Sequence, residues 1–189
     1  MEITKCTDIT KANDLTNFIN EVFKQTFENF SSIDRTYPEF VEAVIEEGNA
    51  FIGKFNNEIV GFLKLSETGV KKYQKTRKYT EIGMLAVKKS YQKRGFGAQL
   101  LEFGVQEAKR RGKIPCIVQV EIPGDEIHQK QIKWYTSYGW QILDRKWVDS
   151  QEVLYDDCDV KVWVVDRVDY KLRGRVSLNL SSSIFNRHI

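Results

Sequence analysis

A short β-rich run, Tyr79–Val87, leads through a basic turn, Gln92-Lys93-Arg94-Gly95-Phe96-Gly97-Ala98, into an amphipathic stretch that continues to Arg111. This order of strand, glycine-bearing turn and helix restricts the fold more than any other feature of the chain. Gly97, Leu100, Leu101, Gly104, Val105 and Ala108 recur at helical spacing, Lys109, Arg110 and Arg111 complement the helix end, and Gly112 stops it. Glycines at 95 and 97 let successive N–H groups face a ligand with no Cβ in the way. The helix start adds unpaired donors and the positive end of its dipole, which suits a diphosphate. Lys93 and Arg94, with Lys88 and Lys89 upstream, bring positive charge. On glycines alone two readings stay open, a phosphate cradle and a structural joint. No Gly-x-x-x-x-Gly-Lys-Ser/Thr string occurs, and Leu100 stands where a dinucleotide fingerprint needs its third glycine.

The remaining chain interleaves apolar alternation with helical periods, a mixed α/β (α+β) pattern. Residues 2–6 read as a strand. Thr10 or Asn13 caps a helix with Leu15, Phe18, Ile19, Val22 and Phe23 on one stripe. Tyr37-Pro38 opens a second helix, with Phe40, Val41, Val44 and Ile45 inward, that ends at Gly48-Asn49. Ala50–Phe55 and 59–66 flank Asn56-Asn57 as a hairpin. Then come a strand at 114–122, a helix from Asp125 or Glu126 to Tyr138, and strands Trp140–Val148 and 160–166.

Composition bounds the class. With 41% hydrophobic and 12% aromatic residues the chain can bury a sizeable core, which excludes disorder as a whole. A net charge of +3 is too balanced for a nucleic-acid coat, so nucleic acid is a disfavoured partner. No apolar run approaches the roughly 18 residues that span a bilayer, and the start lacks a signal peptide's features, so no membrane role is expected. Cys6, Cys116 and Cys158 form no disulfide or zinc pattern, and His128 and His188 cannot build a multi-histidine site. The expectation is a reducing cytoplasm and no metal.

The segment 87–101, from Val87 through Gln92, Gly95 and Gly97 to Leu100-Leu101, resembles the acyl-CoA-binding motif of the GNAT acyltransferase superfamily. About 40 residues on, Trp134-Tyr135-Thr136-Ser137-Tyr138-Gly139-Trp140 resembles that family's second signature. The element order, β-α-α-β-β-β-α-β-α-β-β, is similar as well. The resemblance covers about residues 2–166 and implies one acetyltransferase domain, 1–166, with a basic and polar tail at 167–189. It implies a mixed, mostly antiparallel sheet of about six or seven strands flanked by about four helices, with two central strands splayed apart.

It also implies roles. Acetyl-CoA would be the cosubstrate, its pantetheine arm against the backbone of Leu85, Ala86 and Val87. Its diphosphate would lie on Gln92, Lys93, Arg94, Gly95, Phe96, Gly97 and Ala98. Tyr135 matches the tyrosine beside the cofactor sulfur. His128 stands where many members carry an asparagine that contacts the arm, and Gln131 where they carry a small residue. The reaction implied is direct attack of an amine on the thioester, so a base must take the amine proton. Glu81 and Glu121 are the candidates, with a water chain as the other route.

Residues 149–159 carry five acids and no basic residue. In the resembling fold this connection overhangs the acceptor side, where it would draw a cationic amine, with Asp156 and Asp157 as candidate acceptor contacts; the other reading is a solvated hairpin loop with no ligand contact. Residues 71–78 carry five positive charges and read as a solvated loop or as a contact to phosphate or RNA. The expected partner is a small-molecule amine or peptide acceptor, with a homodimer compatible. Rival readings are a non-catalytic acyl-CoA sensor, another acyl donor, and a protein or ribosomal acceptor.

Overall fold

Strands with one wet face alternate apolar and polar residues, but 50–52 and 60–65 are almost continuously apolar and so need cover on both faces. The computed structural model describes residues 1–26, 34–67, 79–121, 126–148 and 160–167. It forms two compact units, Met1–Ser66 with Ile82–Arg110, and Glu67–Glu81 with Arg111–Ile189. Among the described residues there are four α-helices, and the mixed α/β class expected from the sequence is the observed one.

In the first unit, β1 (Glu2–Lys5), β2 (Ala50–Phe55) and β3 (Glu58–Glu67) lie in the order β1-β2-β3-β4, where β4 is Tyr79–Val87. The β1–β2 and β2–β3 pairings are antiparallel. Alternate residues then sort to two helical layers. Ala50, Ile52 and Phe62 join a buried core with Leu15, Ile19 and Val22 of α1 (Ala12–Thr26) and Val41, Val44 and Ile45 of α2 (Pro38–Glu46). The intervening residues meet α3 (Phe96–Arg110): Phe51 lies 5.1 Å from Phe103 between ring centroids. A Cβ on Gly104 would sit 3.1 Å from both Leu63 Cδ2 and Ile82 Cδ1. That glycine lets α3 approach the sheet closely.

Local signals set most boundaries. Pro38 occupies the first turn of α2. Asn56 and Asn57 both take positive φ, 51° and 63°, the two-residue turn whose twist suits a hairpin. The cap of α1 differs from expectation. Asp8 accepts from the Thr10 amide at 3.1 Å and opens a 3-10 turn, Ile9–Lys11, and α1 continues from Ala12. Thr10 is thus a donor to a stronger cap rather than the cap itself. Lys64 was not expected inside, yet it is buried with its Nζ 5.2 Å from the Phe40 ring centroid.

In the second unit the order is β4-β5-β7-β6, with β5 (Ile114–Glu121), β6 (Trp140–Val148) and β7 (Val160–Arg167). β4 and β5 pair in parallel from Tyr79–Ile114 to Glu81–Cys116. β5–β7 and β6–β7 are antiparallel. Helix α4 (Glu126–Ser137) precedes β6, and Gly139, at φ +83°, turns the chain between them. Trp140 is almost wholly buried. No helix among the described residues is long and apolar enough to cross a membrane.

The close approach at Gly104 gives a test. Gly104→Leu should lower the unfolding free energy by about 1–3 kcal/mol, because Leu63 and Ile82 leave no room for the added atoms. The midpoint of chemical denaturation reads it, and an unchanged midpoint would remove this contact from the account.

Candidate functional site

The strand that feeds the turn is not uniformly extended. Met84 has φ +48° inside β4, a conformation that costs a residue with a side chain roughly 1–2 kcal/mol. It interrupts the strand just before Leu85, Ala86 and Val87, as a bulge does. Ala86 and Val87 are buried and Leu85 is half-buried.

The chain from Lys88 to Gln92 is tied down by a run of hydrogen bonds. Lys88 N–H donates to Val60 O at 3.0 Å and Tyr91 N–H to Lys88 O at 2.8 Å. Gln92 donates its amide to Lys89 O at 3.2 Å and its side-chain Nε2 to Val87 O at 2.9 Å. Gln92 therefore shapes the loop. Tyr91 is its hub. Its hydroxyl donates to Glu58 Oε2 at 2.7 Å, and its ring stacks on Phe96 at 6.0 Å and meets Phe55 edge-on at 6.0 Å. The Arg94 guanidinium lies 5.3 Å from the same ring. Lys88 is also paired with Glu58. The Lys88 hydrogen bond first, then that of Tyr91, holds the Glu58 carboxyl below its usual range, and Glu58 in turn raises Lys88 and Tyr91.

Beyond this closure the backbone opens. Lys93 has φ +60° and Gly95 φ +82°, so two left-handed residues flank Arg94. A Cβ built on Gly95 meets nothing within 4 Å. The first helical amide with a carbonyl below it is that of Gln99, on Gly95 O at 3.0 Å. The N–H groups of Phe96, Gly97 and Ala98 precede it and have no carbonyl within the helix. Amides of this kind, with the helix dipole behind them, form a concave anion site. Lys93, Arg94 and Gly95 are exposed. Phe96 contributes its amide only, since its side chain is buried against Phe55.

The other sequence-chosen residues belong to the second unit. Glu81 is half-buried on β4 and pairs in register with Cys116, while Glu121 ends β5 opposite Lys161. Five residues of strand separate Cys116 from Glu121, about 16 Å of rise. The backbone positions of Glu81 and Glu121 are thus well separated along the direction of β5. His128 lies in the first turn of α4. Tyr135 sits in an aromatic group, 5.0 Å from Trp134 and 6.4 Å from Trp140 between centroids. As a residue it is half-buried, but desolvation of its hydroxyl pushes its pKa up to about 12. The phenol is therefore neutral, and a donor, throughout the neutral range. Asp156, Asp157, the acidic run 149–159 and the basic run 71–78 lie outside the described residues.

Sequence reasoning missed Glu58, Tyr91 and Phe55. Their only local signal is that Phe55 and Glu58 flank the Asn56-Asn57 turn, which says nothing of a partner 33 residues away. It also counted Lys88 among the phosphate-facing charges, whereas Glu58 takes that charge. Among the described residues no group of three or more His, Cys, Asp or Glu could hold a metal ion.

Comparison with solved structures places the fold. A ribosomal-protein-alanine N-acetyltransferase from Brucella melitensis superposes with a TM-score of 0.67 at 13% identity, over 89% of this chain and 100% of that one. A GNAT family acetyltransferase from Elizabethkingia anophelis with acetyl-CoA bound gives 0.51 at 22% identity, over 68% and 80%. An aminoglycoside 6'-acetyltransferase type Ii gives 0.57 at 19% identity, over 89% and 99%. These likenesses are of fold. No curated protein matches the chain. A family model, Acetyltransferase (GNAT) family, matches residues 16–140. That span takes in the turn and Tyr135 and is well over half of the sequence: the chain belongs to the GNAT family of acetyltransferases.

Proposed function

We propose that the chain moves an acetyl group from acetyl-CoA to a primary amine by direct attack. The observation that carries this reading is the exposed turn, with left-handed Lys93 and Gly95, leading into the first three amides of α3, which have no carbonyl within the helix. The amides of residues 93–98 would hold the diphosphate, with Arg94 and Lys93 adding charge and Gln92 closing the loop. The backbone at Leu85, Ala86 and Val87 would line the pantetheine arm, and His128 would be a further contact to it. A site made of backbone amides tolerates side-chain change but not a new side chain at Gly95. The bound cosubstrate supplies a thioester carbonyl carbon; the rest is the protein's work.

Two proton problems remain. An ammonium at a reference pKa of about 10.4 gives its proton to a carboxylate near 4.3 only against a gap of about six units, roughly 8 kcal/mol. The acceptor therefore gives up its ammonium proton to water before attack, and a glutamate takes the second proton once the nitrogen, now bonded to carbon, has become more acidic. Glu81 is the first candidate, Glu121 the second, and a water chain the third. As the C–S bond breaks, charge collects on sulfur. Tyr135 at about 12 exceeds a thiol near 8.5 by some 3.5 units, so it would hydrogen-bond the departing thiolate rather than surrender its proton.

The acceptor is argued from charge. The relatives' names include a ribosomal protein and an aminoglycoside, so they do not choose between a peptide and a small molecule. Five acids at 149–159 favour a cationic amine. Residues 1–166 are taken as the acetyltransferase domain and 167–189 as a tail. Cytoplasmic location, acting as a monomer or homodimer, is the setting that suits this reading.

Release of free thiol from acetyl-CoA with a panel of amines, amino acids and basic peptides tests the reading. Thiol release with some amine is expected; tight CoA binding with no transfer to any acceptor would favour a sensor instead. Tyr135→Phe should lower kcat about 10- to 100-fold, the worth of a hydrogen bond to a charged group, with a smaller change in the acetyl-CoA KM. Equal kcat across the pH range would remove Tyr135 from the mechanism. Glu81→Gln should shift the basic dependence of kcat/KM to higher pH; if the profile is unmoved, the same shift is expected of Glu121→Gln. Replacing Asp156 and Asp157 with Asn should raise the acceptor KM, leave the acetyl-CoA KM nearly unchanged, and lose its effect in high salt. A neutral or acidic preferred acceptor would contradict the charge argument.

A further inference from the structure

The β2–β3 hairpin closes on a single rung, Phe55 opposite Glu58, across the tight Asn56-Asn57 turn. Both members of that rung hold Tyr91. Phe55 meets its ring at 6.0 Å and Glu58 takes its hydroxyl at 2.7 Å. Tyr91 passes the constraint on in two directions, stacking on Phe96, the first residue of α3, and lying under the Arg94 guanidinium. The second oxygen of Glu58 engages Lys88, at the mouth of the loop. Residues far apart in sequence thus fix both ends of the segment that precedes the open amides.

We propose that Glu58 is a positioning residue for the cofactor turn: together with Phe55 it grips Tyr91 and holds the amides of residues 93–98 in their anion-binding arrangement. The proposal rests on the acetyl-CoA reading above. Two physical effects of removing Glu58 have opposite sign, and this makes the inference decidable. Electrostatics alone favours its removal, since a carboxylate near a polyanionic ligand repels it and ties up Lys88. Positioning opposes removal, since a loosened turn must be ordered again when ligand binds. Glu58 and Lys88 are each about 40% exposed (40% and 43%), so the net positioning effect is modest, about three- to tenfold in affinity.

The experiment is calorimetric titration of the full chain with CoA, at low and high salt, together with acetyl-CoA kinetics. Glu58→Gln should weaken CoA about three- to tenfold and raise the acetyl-CoA KM in step, while kcat at saturating cofactor is retained. Tyr91→Phe, which keeps the ring contacts and removes only the hydroxyl, should do the same. The double variant should cost less than the sum of the two singles, because both weaken the Tyr91–Glu58 bond. Unchanged or tighter CoA binding in Glu58→Gln and Tyr91→Phe overturns the proposal, as does a fall in kcat and affinity together with a lowered melting temperature. Gly95→Asp is run alongside. If it abolishes CoA binding while Glu58→Gln leaves affinity intact, the positioning role alone is wrong. If Gly95→Asp binds CoA like the wild type, the turn is not the phosphate site and both readings fall.

Discussion

The first turn of α3 begins with amides that no carbonyl of the helix can reach, and it follows an exposed turn with two left-handed residues, Lys93 and Gly95. Met84 and Lys93 accept left-handed backbone at a cost, and Gly95 accepts it freely. Gln92 spends its donors on Lys89 and Val87, which leaves the loop closed beneath the turn. Orphan donors at a surface are inexpensive in water and valuable to an anion, so the arrangement makes most sense as a binding surface held ready before its ligand arrives.

This preparation depends on packing that is not local. Gly104 lets α3 lie close to Leu63 and Ile82, and Phe96 anchors the helix start against Phe55 and Tyr91. The two-faced burial of β2 and β3 gives those contacts a firm base. The same three-layer packing that stabilises the first unit therefore also sets where the amides point. In the second unit, burial raises the pKa of the Tyr135 hydroxyl further above its ordinary range, to about 12.

Local signals in the sequence were good guides to local structure. The turn residues, the proline at the start of α2, the Asn56-Asn57 hairpin and the order of elements all follow from periodicity and punctuation that act over a few residues. Position within a motif singled out Tyr135 but could not give the state of its hydroxyl, which depends on its neighbours. Contacts across the fold were illegible. Nothing near Glu58 announces Tyr91, and Lys88 reads as a free cation until the hairpin is seen beside it. Thr10 and Asn13 are the caps the sequence suggests, but Asp8, two residues before Thr10, takes the cap position by accepting from the Thr10 amide.

The central claim is that the amides of residues 93–98 receive the cofactor's diphosphate. Amide proton resonances followed during titration with CoA, and in parallel with pantetheine, test it most directly. The account predicts that CoA shifts the resonances of residues 93–98 strongly, while pantetheine, which lacks the diphosphate, leaves them in place. Saturable CoA binding that moves other resonances and leaves these amides untouched would contradict it.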